Sequence, residues 1–268
     1  MLNFTKMNGA GNDFVLIDNR HGNHSLDRAT IARLCDRHRG VGADGLLAVE
    51  PAENGADFRM RYYNSDGGEA EMCGNGARCF ARYAGRLAGK CDSISFETIA
   101  GVISAEFVGE NNVRLAMSEP KDRRIAQPVP IEGVIHSVHF LNTGVPHAVL
   151  FVEDLEATPV QALGAAIRYH EVFAPKGTNA NFARQIAPGT VAIRTYERGV
   201  EGETLACGTG VVATALLFHE TTGAPSPVAV QVRGGDTMQV AFEKDGENYR
   251  NVTLTGPADF VFEGQIEA

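Results

Sequence analysis

Two cysteines of this chain stand in the same local sequence, Gly68-Glu69-Ala70-Glu71-Met72-Cys73-Gly74-Asn75-Gly76 and Gly202-Glu203-Thr204-Leu205-Ala206-Cys207-Gly208-Thr209-Gly210. They lie 134 residues apart, half of the 268 in the chain. At that offset Tyr62 also meets Tyr196, so six of the fifteen positions from 62 to 76 are identical, where composition alone gives roughly one. Each cysteine stands just before a glycine-rich step that opens an apolar helical run. A thiol at a helix start faces unpaired N–H groups and the positive end of the dipole, and both favour the thiolate. The same backbone donors suit a carboxylate. If two such copies face each other across a cleft, one thiolate can take a proton from one face of a carbon while the other thiol returns a proton to the opposite face. The helix starts would hold the carboxylate and the charge that develops on it. That is the chemistry of a racemase or epimerase built without a cofactor.

The elements that must place the thiols follow from periodicity. Helical spacing is expected from about Gly74 to Leu87 and from Thr209 to Glu220, and also at Ser25 to His38, capped by Asp27 or Ser25, and at Val160 to Ile167. Alternating and β-branched runs predict strands at 14–18, 46–50, 58–63, 94–98, 102–107 and 113–116 in the first half. In the second they fall at 137–142, 148–152, 181–185, 190–196, 228–233, 238–243 and 251–256. The polar, proline-containing stretch Ser118 to Pro130 reads as a linker. The strand-like Ala258 to Phe262 falls outside the second copy and is expected to return to the first domain. The domains are therefore 1–118 plus about 258–268, carrying Cys73, and about 119–257, carrying Cys207.

Net charge −9 and 44% hydrophobic content describe an acidic globular chain, without the clustered Lys and Arg that a phosphate backbone needs. A small molecule is the expected partner, with no nucleic acid and no membrane, since no run approaches the roughly 18 apolar residues of a span. The first residues carry no leader pattern, and five cysteines argue for reduced thiols rather than a disulfide framework. A cytoplasmic location follows, and the sequons at Asn3, Asn23 and Asn251 are without meaning there. Cys35, Cys79 and Cys91 read as inert packing residues. Cys35/His38, His21/His24 and His136/His139 are isolated pairs, so no metal is expected. Gly40-Val41-Gly42-Ala43-Asp44-Gly45 fits a dinucleotide pattern but follows a helix and precedes a strand, the reverse of the required order. No lysine carries a signature for a pyridoxal phosphate Schiff base.

Four segments together resemble one family, the diaminopimelate epimerases: Met7-Asn8-Gly9-Ala10-Gly11-Asn12-Asp13-Phe14, Met72 to Cys79, Gly144-Val145-Pro146-His147, and Glu197-Arg198-Gly199 with Ala206 to Gly210. The resemblance covers essentially the whole chain. With the duplication it implies an α/β fold of the α+β type, in which two pseudo-symmetric domains each wrap a mixed, strongly curved β-sheet or barrel around a central helix. It further implies a cofactor-independent, homodimeric enzyme interconverting LL- and meso-diaminopimelate on the lysine and peptidoglycan route. Cys73 and Cys207 are then the paired base and acid, with His147 and Glu197 as the polar pair beside the reacting centre. Substrate contacts carry over to Asn12, Asn64, Gly74, Asn75, Asn179, Glu197, Arg198, Gly208 and Thr209. The helix-start N–H groups of Gly74, Asn75, Gly208 and Thr209 suit the reacting carboxylate. Asn12, Asn64, Asn179 and Arg198 suit the amino and carboxylate groups of the distal centre.

The chain departs from many relatives at Val145 and from some at Gly45, neither of which offers a side-chain hydrogen bond. The rivals are a proline-racemase-like or hydroxyproline-epimerase-like activity using the same thiols, and a binding protein that keeps the fold without turnover. Asn75 in place of histidine after Cys73-Gly74 disfavours the first, and the intact cysteine pair disfavours the second. Facing thiols would also be able to join as an inactivating disulfide.

Overall fold

The computed structural model describes residues 1–70, 72–90 and 92–267. The chain forms two compact units, Met1–Leu115 with Thr255–Ala268, and Ala116–Leu254. It therefore passes from the first unit to the second and back again.

The first unit contains β1 (Leu2–Gly9), β2 (Asn12–Asp18), α1 (Arg28–Cys35), β3 (Gly45–Glu50), β4 (Phe58–Asn64), β5 (Glu69–Ala70), α2 (Gly74–Ala88), β6 (Ser93–Thr98), β7 (Gly101–Val108) and β8 (Asn112–Ala116). The second contains β9 (Lys121–Ile131), β10 (Val134–Asn142), β11 (Pro146–Phe151), α3 (Val160–Arg168), β12 (Asn179–Ala187), β13 (Thr190–Glu197), β14 (Gly202–Thr204), α4 (Gly208–Thr222), β15 (Val228–Gln231) and β16 (Thr237–Asp245). After β17 (Asn248–Pro257), β18 (Asp259–Ile266) pairs antiparallel with β1.

Strand pairing repeats the duplication step for step. In the first unit β1–β2 is antiparallel, β2–β3 parallel, β3–β4 and β4–β5 antiparallel, β4–β6 parallel and β6–β7 antiparallel. In the second the same order of senses runs β10–β11, β11–β12, β12–β13, β13–β14, β13–β15 and β15–β16. A parallel pair needs a long crossover, and α1 and α3 fill that place in β2–β3 and β11–β12. In α1 the cap is Asp27, whose carboxylate accepts the Thr30 N–H at 2.8 Å.

One helix touches six strands in each unit: α2 meets β1, β2, β3, β4, β6 and β7, and α4 meets β10, β11, β12, β13, β15 and β16. Each sheet must therefore curve around its helix. A helix enclosed on all sides has to be mainly apolar or small-sided, with any buried charge fully hydrogen-bonded. In α4 the run Val211 to Phe218 is buried throughout, and in α2 Ala77, Cys79, Phe80 and Ala81 are buried together with Arg78, whose guanidinium donates to Gly74, Asn75 and Pro257. Gly85 belongs there because a Cβ would lie 2.5 Å from the Phe107 ring. Both central helices end on a left-handed glycine, Gly89 (φ 65) and Gly223 (φ 73), a conformation that a side chain opposes. These architectural expectations hold: two duplicated α+β units, each a mixed sheet around a central helix.

The stretch 118–130 departs from its reading as a linker. It holds most of β9, paired antiparallel with β10. Val129 and Ile131 turn inward while Pro128 and Pro130 turn out. Charge and two prolines without ladder donors hid a strand whose apolar alternation is only two residues long. Among the described residues, no helix is long and apolar enough to cross a membrane.

Candidate active site

In the first unit Cys73 is the N-cap of α2, with extended backbone (φ −133, ψ 122). Its carbonyl already accepts the Ala77 N–H at 2.7 Å, so the sulphur lies at the mouth of the helix beside the N–H groups of the first turn. Cys73 Sγ is 3.5 Å from Asn12 Oδ1. The Asn12 amide is oriented by Asp44, which accepts from Nδ2 at 2.6 Å. Asp44 and Asp13 are in turn gripped by Arg37, and Asp13 also by Lys6. That ionic cluster fixes the turn carrying Asn12.

Asn75 and Arg78 are both buried, and Arg78 Nη2 donates to Asn75 Oδ1 at 3.0 Å. Arg78 Nε also donates to the Pro257 carbonyl at 3.1 Å, tying the start of α2 to the end of β17. A buried arginine persists only where its donors are used. Asn64, at the exposed end of β4, accepts from the Tyr62 hydroxyl at 2.9 Å. At Gly45 a Cβ would lie 2.6 Å from the Tyr63 carbonyl oxygen, so a side chain there would require the backbone of β4 to move.

The second unit repeats the helix start: Cys207 is the N-cap of α4 (φ −126, ψ 108), and its carbonyl accepts the Val211 N–H at 2.9 Å. Its surroundings are different. Thr209 Oγ1 lies 3.6 Å from Cys207 Sγ and 2.9 Å from Nε2 of the fully buried His147. The Thr143 hydroxyl donates to the Thr209 carbonyl at 2.9 Å, which fixes the first turn of α4 against the β10–β11 connection. Asn179, also buried, uses its amide internally: Nδ2 donates to the Pro146 carbonyl and Oδ1 accepts the Arg198 N–H at 2.8 Å. It holds the ends of β11 and β13 together and so places Arg198. Glu197, the last residue of β13, has its carboxyl pushed up by burial, with Thr204 acting in the opposite direction.

Burial, with the charge of Arg198 adding to it, lowers the His147 imidazole to about 3. It is therefore neutral near neutral pH and works as a fixed hydrogen-bonding group rather than as a cation. Because an unfolded histidine protonates near 6.5, the contribution of neutral His147 to stability is complete above that pH. It is lost as the pH falls toward about 3, by about tenfold in the folding constant per pH unit. NMR titration should show no ionisation of His147 between pH 8 and pH 5. A His147 resonance titrating near its ordinary value would contradict this.

Cys35 and Cys79 are buried, and burial raises both thiols to about 12, so they stay protonated. Cys91, grouped with them in sequence, lies outside the described residues, as does Glu71 of the first motif. Among the described residues no cluster of His, Cys, Asp or Glu is placed to hold a metal.

Within their own units, then, Asn12, Cys73, Gly74 and Asn75 gather at one helix start, and His147, Cys207, Gly208 and Thr209 gather at the other. Asn64 belongs to β4, and Asn179, Glu197 and Arg198 to the strand ends of the second unit. Sequence reasoning missed Asn181, Thr195 and Arg78, which hold these groups from behind. An Asn-x-Asn step in an apolar strand puts both amides on one face, and that was the signal for Asn181.

Residues 4–122 and 139–261 match the model of the family described as diaminopimelate epimerase. A diaminopimelate epimerase of Aquifex aeolicus is 42% identical over 276 residues, covering 99% of this chain and 98% of the relative. One of Chlorobaculum tepidum is 44% identical over 265 residues, covering 97% and 99%. Among solved structures, a PhzF-family phenazine biosynthesis protein of Bacillus anthracis superposes with TM-score 0.74 at 17% identity over 99% of each chain. A hydroxyproline epimerase of Agrobacterium vitis does so with TM-score 0.71 at 17% identity, over 99% of this chain and 90% of that one. The structural likenesses speak for the fold, and the sequence matches for the family: this chain belongs to the diaminopimelate epimerases.

Proposed function

We propose that this protein is a cofactor-independent epimerase interconverting LL- and meso-2,6-diaminopimelate, in the supply of lysine and peptidoglycan precursors. The observation that carries this reading is the helix-start thiol occurring twice, Cys73 at α2 and Cys207 at α4, in a chain of this family. Inversion at an α-carbon needs one group to take the proton and a second to return a proton to the opposite face. One thiolate takes the α-proton, and the electron pair left on carbon is delocalised into the carboxylate. The other thiol then protonates the carbon and becomes the thiolate, so the two exchange roles with direction. The first-turn N–H groups of Gly74 and Asn75, and of Gly208 and Thr209, are the donors suited to the carboxylate as it gains charge.

In this reading Asn12, Asn64 and Arg198 grip the distal amino and carboxylate groups, and Asn179 contributes by holding the Arg198 backbone. Glu197, with its raised carboxyl, serves beside the reacting centre, and His147 acts through Thr209. The cytoplasm fits an enzyme whose thiols must stay reduced. The family resemblance supports a homodimer, which sedimentation of the purified protein as a monomer would contradict.

Purified protein without added cofactor should convert LL- to meso-diaminopimelate and, in deuterated water, carry deuterium onto the α-carbon. Proline and hydroxyproline should remain unchanged. Faster turnover of proline would favour the rival racemase, and no exchange with any substrate would favour a binding protein.

A further inference from the structure

Behind Cys207 lies a chain of hydrogen bonds whose directions can be assigned one by one. It begins at Asn181 on β12, a residue 1% exposed. Asn181 Nδ2 donates to the Ala148 carbonyl at 2.9 Å, and Oδ1 accepts from the Thr195 hydroxyl at 3.0 Å. The reversed amide would set two carbonyl oxygens against each other, so the orientation is fixed. The second hydrogen on Nδ2 is then directed at His147 Nδ1, 3.1 Å away. A neutral imidazole that accepts at Nδ1 carries its proton on Nε2, so His147 donates to Thr209 Oγ1 at 2.9 Å. Accepting there, the Thr209 hydroxyl keeps its own hydrogen to donate, and Cys207 Sγ, which as a thiolate can only accept, lies 3.6 Å away.

We propose that Asn181 is a positioning residue: it sets His147 in the Nε2–H tautomer and so turns the Thr209 hydroxyl hydrogen onto the Cys207 sulphur. This rests on the reading of Cys207 as one of the two exchanging thiols.

The first unit supplies the comparison. In the ladder His147 stands opposite Asn179 as Phe14 stands opposite Gly45, and two residues further along β12 and β3 come Asn181 and Leu47. The duplicated position of the polar pair is therefore a phenylalanine and a leucine. The fold does not need hydrogen bonding there, since one of its two copies is built without it. At these two ladder positions the second unit alone carries polar side chains, and there each is hydrogen-bonded in sequence toward the Cys207 sulphur.

In protein carrying 15N-labelled histidine, His147 should show an unprotonated Nδ1 and a protonated Nε2 at pH 7. The opposite tautomer, or an imidazolium, overturns the proposal whatever the substrate proves to be. In the diaminopimelate assay, Asn181→Leu and Thr209→Val should each lower kcat by about tenfold to a hundredfold with KM within about twofold, the scale of one directed hydrogen bond to a charged group. Thr209→Ser, which keeps the hydroxyl, should be faster than Thr209→Val by a similar factor. The double variant Asn181→Leu/Thr209→Val should be no slower than Thr209→Val alone. Additive losses would mean that Asn181 acts independently of Thr209 and would overturn the assignment. Should wild-type protein fail to epimerise diaminopimelate, the labelling experiment still decides the hydrogen-bond chain, so the two readings fail separately.

Discussion

Exchanging either thiol for a hydroxyl, as Cys73→Ser or Cys207→Ser, is expected to lower epimerisation by about a hundredfold to ten-thousandfold, the range of a lost general acid or base. A serine hydroxyl ionises far above neutral pH, and a helix start does not supply enough to close that gap. In the two-base reading each thiol is needed in every turnover, once to take or once to give a proton. The double variant should therefore be little slower than either single one, because groups that act as a unit do not add.

Stability should move the other way. Cys73 and Cys207 are the N-caps of α2 and α4, and neither side chain makes a capping hydrogen bond. Serine is a favoured N-cap residue, worth about 1 kcal/mol over a non-capping one. Activity lost with a melting temperature unchanged or raised would place the effect in the chemistry. A serine variant turning over at the wild-type rate would end the two-base reading.

The helix starts were legible in the sequence because both signals are local. A repeated Gly-Glu-x-x-x-Cys-Gly-x-Gly fixes where each central helix begins, and α2 and α4 run over Gly74–Ala88 and Gly208–Thr222, displaced by the same offset as the cysteines. What surrounds each sulphur was not legible, because strand pairing at long range decides it. His147 and Asn181 are 34 residues apart and meet through the parallel ladder of β11 and β12. Asn179 is expected as a substrate contact from the family resemblance, and the fold adds what the sequence did not show, that its amide also links the Pro146 carbonyl to the Arg198 N–H. Arg78 stands within the motif with no local signal of what it holds, and only the fold brings the Pro257 carbonyl to it. Patterns of type and spacing single out the helix-start thiols, while the groups that hold them are assigned by partners distant in sequence.

The second large effect concerns the last glycine of each motif, where the two halves should answer the same substitution differently. Gly210→Ala is expected to destabilise the protein by about 1–3 kcal/mol, the usual cost of overpacking, and to slow epimerisation by at least about tenfold, the result of a small displacement at a reacting group. A Cβ at Gly210 would lie 2.6 Å from Asn181 Oδ1, with His147 Cε1 and Nδ1 at 3.3 and 3.4 Å. None of these atoms is free to yield, since Asn181 is held by Ala148 and Thr195 and His147 by Thr209. The methyl must therefore move the start of α4, and Cys207 with it. At Gly76 the nearest atoms would be the edge of Phe14, at 3.3 and 3.4 Å, and a Leu47 methyl at 3.5 Å. Those are apolar neighbours that can give by a few tenths of an ångström, and alanine is the better helix former by up to about 1 kcal/mol. Gly76→Ala should thus stay within about 1 kcal/mol of wild type. Thermal melts and kcat of the two variants, measured side by side, test the difference. Equal behaviour would mean that the polar pair behind Cys207 imposes no constraint on its helix. The expected inequality would mean that only one of the two duplicated glycines is held to glycine, by the clearance that the hydrogen-bonded pair behind Cys207 requires.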